Sequence, residues 1–223
     1  MSRRTMKIFR ENSLSIVATL LFAACLVGQA LVGRVVYNDD AAQHGAASLG
    51  LWAYLGSGDF IEAVFENWES EFLQMALFVV LTRFLRQKGS SESKSLDEPE
   101  EVDVDPRGTK PNPKAPWPVR RGGVVLTLYE HSLSVSLFFL FALSFVFHVY
   151  GGMLVHNQNE RWHGGHRLDF MGFLRSAELW QQSFQNWQSE FLSVAVLVVL
   201  TIFLRERGSA QSKPVAAPFD STD

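Results

Sequence analysis

The apolar residues of this 223-residue chain gather into four blocks, and that bunching restricts the fold more than any other feature. One block occupies residues 14–36, with Ser15, Thr19, Gln29 and Arg34 as its clearly polar members. Another occupies 133–155, with Ser134, Ser136, Ser144 and His148. Each is about 23 residues long, enough to cross a hydrocarbon core of roughly 30 Å at about 1.5 Å per residue. Two shorter blocks, 72–85 and 191–204, reach across when each is begun at its tryptophan, Trp68 or Trp187. About 18 residues then cover about 27 Å, and Glu71 and Glu190 are drawn to the edge of the apolar layer. The pattern predicts an all-α membrane protein with four transmembrane helices. The basic start, Arg3, Arg4, Lys7 and Arg10, could head a cleaved export signal. The first block is long for that role and an equivalent block recurs mid-chain, so it reads as a retained helix.

The blocks come in two matching pairs. Asn67-Trp68-Glu69-Ser70-Glu71-Phe72-Leu73 returns as Asn186-Trp187-Gln188-Ser189-Glu190-Phe191-Leu192, a step of 119 residues. The same step carries Glu11 onto Glu130, Asn38 onto Asn157, His44-Gly45 onto His163-Gly164, and Arg86 onto Arg205. One ungapped offset over most of each half predicts an internal duplication of a two-helix unit. Residues 1–88 form the first copy and 123–207 the second. Residues 89–122 hold six of the eight prolines, begin acidic from Asp97 to Asp105, and show no hydrophobic period, so they read as a disordered Pro-rich tether, with 208–223 as a disordered tail.

Basic residues orient the helices. They cluster at the N-terminus, after the second block (Arg83, Arg86, Lys88), after the fourth (Arg205, Arg207, Lys213), and at Arg120 and Arg121 before the third. The stretch after the first block holds Asp39, Asp40 and Asp59 instead, although Arg161, Arg167 and Arg175 weaken the contrast in the second outer loop. Both termini are therefore expected on the cytoplasmic side of a bacterial inner membrane. Two crossings per copy make the copies parallel, related about the membrane normal. Before each second span, Phe173, Ala177, Trp180, Phe184 and Trp187, matched by Tyr54, Ile61, Phe65 and Trp68, recur at spacings of three and four. This predicts an amphipathic helix on the outer surface.

Three sets of side chains could carry a role. Asn67, Trp68 and Glu71, with Asn186, Trp187 and Glu190, form a polar face at the head of each second span. If the two faces meet on the pseudo-twofold axis, the carboxylates would share a proton or a cation. If they do not, the tryptophans are interfacial anchors and the glutamates fix the helix entry. His44 and His163 are the histidines common to both copies and, with glutamates, could form a divalent-metal site. Glu11 with Arg86, and Glu130 with Arg205, could clasp the cytoplasmic end of each hairpin. His148 has no second intramembrane histidine on another helix, so haem is not expected. Cys25, whose counterpart is Ser144, is the lone cysteine and reads as small packing filler.

The order Tyr37-Asn38, His44-Gly45, Asn67-Trp68-x-Ser70-Glu71-Phe72-Leu73-Gln74, Val79 to Thr82, Gln87 to Ser90 and Glu92 to Lys94 resembles a family of bacterial membrane proteins known as a domain of unknown function. The second copy departs from it at His156 for Tyr37, Ser193 for Gln74 and Glu206 for Gln87. The resemblance implies a location and no activity. No nucleophile elbow, phosphate-binding glycine loop, HExxH or redox cysteine pair is present. The leading expectation is a structural or accessory membrane subunit, with lipid and further copies or a larger membrane complex as partners, no cofactor and no nucleic acid. A small proton- or cation-coupled transporter using Glu71 and Glu190 is the alternative. A metal-dependent membrane enzyme is a second.

Overall fold

The computed structural model describes residues 3–96, 98–108 and 112–222, without the side chains of residues 3–5. Asp97 and the side chains of Arg3 and Arg4, which entered the charge argument, lie outside the described residues. Every regular element among the described residues is helical. The helices are α1 (Arg3–Gln43), α2 (Leu51–Leu55), α3 (Gly58–Phe84), α4 (Trp117–Arg121), α5 (Gly123–Glu130), α6 (Ser132–His163), α7 (Phe170–Leu174) and α8 (Ala177–Phe203). Three of them, α1 from Met6, α6 and α8, are long and apolar enough to cross a membrane. Helix α3 is equally long, but residues 67–84, its most apolar stretch, carry Glu69, Glu71 and Arg83, where the matching part of α8 carries Glu190 alone.

Apolar side chains are buried at Val149, Phe173 and Leu179, yet much of the apolar surface of the long helices is open. Leu14 is 84% exposed, and Leu20, Leu21, Val27 and Val32 lie open along α1, while Glu69, Ser70, Ser144, His148 and Ser183 are buried. Apolar side chains facing outward and polar ones inward is what a lipid solvent selects.

Where the helices break follows from local chemistry. Helix α1 leaves helical geometry at Asn12 (φ −128°, ψ 18°), whose side-chain amide donates to the Ile8 carbonyl and competes with the backbone ladder. His131 occupies the equivalent break between α5 and α6 (φ −113°, ψ 5°). Ser57 and Ser176 start α3 and α8 by accepting the amides of Phe60 and Leu179, both at 3.3 Å.

The stripe expected on one separate helix is divided: Tyr54 and Phe173 lie on the short helices α2 and α7, and the remaining members lie on the opening turns of α3 and α8, each continuous for 27 residues. The breaks fall within the stripe, at Gly56 and Ser57 or Arg175 and Ser176, and the ladder is continuous where the stripe meets the span. On α8 the stripe keeps its geometry, with Trp180, Phe184 and Trp187 in mutual ring contact at 5.5–6.3 Å.

The chain divides into two compact units, one of Met1–Val64 with Phe147–Leu174 and the other of Phe65–Val146 with Arg175–Asp223. In the first, each long helix is joined to a short one through a glycine. The Tyr54 hydroxyl rests on Gly33, and the Phe173 ring rests where a side chain on Gly152 would stand. Asn38 clamps Leu49 through both its amide groups (2.7 and 3.1 Å), and Asn157 clamps Leu168 in the same way (2.8 Å each). In the second unit, residues 89–122 include 3₁₀ turns at Glu101–Asp103 and Pro106–Gly108, the helix α4, and an ion pair between Lys94 and Asp103.

Candidate functional site

The polar interior of the second unit joins α3 to α8. Glu69 is completely buried, and its Oε1 accepts from the Trp187 indole N–H at 3.0 Å and the Ser183 hydroxyl at 3.2 Å. One turn earlier, Glu66 Oε1 accepts from the Asn186 side-chain amide at 2.6 Å. Residues 66 and 69 lie on one helix face, as do 183, 186 and 187, so two carboxylates meet three donors in register. Hydrogen bonds to an ionised acceptor are the strong kind, and the Ser183 bond to Glu69 is fully buried.

The sequence-predicted residues fall around this core. Asn186 and Trp187 are its donors. Ser70 and Ser189 turn back to their own helices, onto the carbonyls of Asn67 and Asn186, both at 2.8 Å. Glu71 is exposed and Glu190 half-buried, and the two are close enough for their charges to act on one another. Thr82 also bonds to its own helix, whereas Thr201 reaches the buried hydroxyl of Ser90 at 2.8 Å.

A family model described as a domain of unknown function, DUF6766, matches residues 5–223. The chain belongs to the DUF6766 family. The match takes in the first helix, the linker and the segment after α8 together. No curated protein and no solved structure matches the chain.

In the first unit, His44 and His163 come together, their rings 5.4 Å apart, with His44 stacked on Trp162 at 4.3 Å. Each Nδ1 lies 2.9 Å from a carbonyl oxygen one turn back, that of Asp40 or Asn159. Among the described residues no group of three or more His, Cys, Asp or Glu side chains is arranged to hold a metal ion.

The residues of the expected clasps make the following contacts within their own units. Glu130 pairs with Arg107 at 2.7 Å rather than with Arg205, and Glu11 sits 3.7 Å from Lys7. Arg86 donates to the carbonyls of Thr82, Arg83 and Leu85, and Arg205 to those of Thr201, Ile202 and Leu204. The last turn of a helix leaves carbonyls without amide partners, and an arginine just beyond it satisfies them. Arg205 also reaches Ala217 and stacks over Phe219, while the buried Lys213 ammonium donates to the carbonyls of Pro218, Phe219 and Ser221. Burial, and after it Arg205, push the Lys213 ammonium below its ordinary range.

Glu66, Glu69 and Ser183 were not among the predicted site residues. A signal for the two acids was present: Asp59, Glu62, Glu66 and Glu69 follow spacings of three, four and three along α3, a polar stripe beside the apolar one. Ser183 carries no such signal, since its counterpart is Val64.

Proposed function

We propose that this protein is a four-span membrane protein made of two parallel copies of a two-helix unit, and that it serves as a structural or accessory subunit. The observation that carries this reading is the engagement of Asn186 and Trp187 by Glu66 and Glu69: the motif side chains hold helices together. The duplication draws support from paired contacts a constant 119 residues apart, among them the Asn38 and Asn157 clamps and the Gly33 and Gly152 seats. The fourth span draws support from Glu69, because a charge buried against donors inside the protein does not face lipid. Placement in a bacterial inner membrane with both termini cytoplasmic rests on the distribution of basic residues. The apolar surface along α1 suits lipid or further copies of the chain.

A second reading, proton- or cation-coupled transport, draws support from the approach of Glu71 to Glu190. Reconstitution in liposomes separates the two. A subunit without transport activity leaves proton and cation flux at the level of protein-free vesicles. Flux that disappears in a Glu71→Gln, Glu190→Gln variant would replace the structural reading with the second. The metal-enzyme reading draws on the contact between His44 and His163 alone.

A further inference from the structure

Helices α3 and α6 touch at backbone distance where Gly151 and Gly152 face Glu62. A side chain on Gly151 would lie 2.8 Å from the Glu62 Cα, and one on Gly152 would lie 3.1 Å from Glu62 Oε1. The Glu62 carboxylate, in a residue only 9% exposed, therefore lies along α6 at the level of Gly152. His156 is one turn further on the same face, and a helical side chain covers the turn preceding its own Cα. Its imidazole thus lies over the Gly152 turn. The Phe173 ring makes the third side: its edge is 2.6 Å from the Gly152 Cβ position, and its centroid is 5.9 Å from the His156 ring. A carboxylate and an imidazole converge there beneath an aromatic ring.

The other copy holds different chemistry at these positions. A step of 119 residues places Tyr37 opposite His156, Tyr54 opposite Phe173 and Gln181 opposite Glu62. Tyr37 and Tyr54 repeat the ring contact at 5.9 Å, and the Tyr37 hydroxyl accepts from the Gln158 amide at 3.3 Å. Glutamine does not titrate and tyrosine does so only near about pH 10, whereas glutamate titrates near about pH 4 and histidine near about pH 6.5. The departures at both positions install an acid and a base together.

We infer that Glu62 and His156 form a carboxylate–imidazole pair that binds a proton just beyond the apolar 133–155 stretch of α6. Asp59 lies one turn before Glu62 on the same helix. The Asp59 Oδ2 atom is buried, the Asp40 charge acts on this carboxyl, and the Asp59 charge in turn holds the Tyr54 hydroxyl in its neutral form. The other ionisable groups on the elements packed here are Arg34 of α1, His148 and Glu160 two turns and one turn either side of His156, and Asp169, one turn before Phe173. The pair is distinct from Glu71 and Glu190, and the inference does not depend on the structural reading of the protein.

The test uses the full chain in lipid nanodiscs, with histidine imidazoles followed by ¹⁵N NMR against pH and the His156 signal assigned by its loss in His156→Tyr. Glu62→Gln and His156→Tyr each install the residue that the other copy carries. The pair predicts that His156 holds its proton at least about tenfold more tightly in the wild type than in Glu62→Gln. Identical titration in the two proteins overturns the inference. Should Glu62→Gln fail to fold, His156→Tyr is read by infrared spectroscopy of the carboxyl groups. A protonated-carboxyl band that appears at neutral pH on removing the imidazole supports the pair, and an unchanged spectrum overturns it.

Discussion

Glu69 occupies the variable letter of the repeated Asn-Trp-x-Ser-Glu motif, and that position decides how the motif works. Truncating Glu69 to alanine leaves the buried Ser183 hydroxyl and the half-buried Trp187 indole without this acceptor, a loss of about 1–3 kcal/mol. Trp187→Phe removes one donor and keeps the ring, so its loss is expected to be smaller. Stability of the purified protein against denaturant in detergent checks both, and a Glu69→Ala protein as stable as wild type would remove the site. Asp59 makes a second prediction. Burial, and after it the Asp40 charge, hold its carboxyl above the usual range, opposed by its own backbone amide. A group that binds its proton more tightly folded than unfolded contributes stability at low pH, and loses that contribution as pH rises through its folded titration range. Asp59→Asn is therefore expected to flatten the fall in melting temperature above the ordinary aspartate range. A parallel fall in both proteins would contradict the assignment. The acids that matter were hard to see because comparing two copies highlights what they share. A hydrogen bond needs a donor opposite an acceptor, and Glu69 opposite Trp187 is a difference rather than a repeat.

At the scale of the helix, length and apolar content were legible, since both follow directly from composition and rise per residue. The break at Asn12 and the continuity of α3 and α8 were less so. Their causes are a single side-chain bond to Ile8 and the absence of any breaker between stripe and span. Glycine seats give the sharpest test of packing. A methyl on Gly33 meets the end of the Tyr54 side chain, which can swing away, whereas one on Gly151 meets the backbone of Glu62, which cannot. Gly151→Ala is expected to cost about 1–3 kcal/mol, in the range of an overpacked interior, and Gly33→Ala less. Denaturation midpoints for the two variants should fall in that order. On α1, Leu20 is 64% exposed. Leu20→Lys is expected to raise the free energy of membrane insertion by about 3 kcal/mol if the helix faces lipid, which a glycosylation-based insertion assay reads directly.

For the whole molecule, the four apolar blocks and the step of 119 between matching segments are read from the chain itself. Contacts between elements are not, and the linker illustrates the difference. Its prolines and charges forbid a hydrophobic core, yet Arg107 finds Glu130 and Lys94 finds Asp103, pairings that no periodicity announces. The proposal that α3 crosses the membrane rests on residues 67–84 carrying three charges of which Glu69 is satisfied within the protein and Glu71 and Arg83 lie toward the two ends. Single-cysteine labelling tests it most directly, starting from a Cys25→Ser background. Ala47→Cys and Arg167→Cys should react with an impermeant thiol reagent on intact cells, while Ser95→Cys and Ala216→Cys should react only once the membrane is opened. Labelling of Ser95→Cys from the same side as Ala47→Cys would show that α3 does not cross, and would contradict the account.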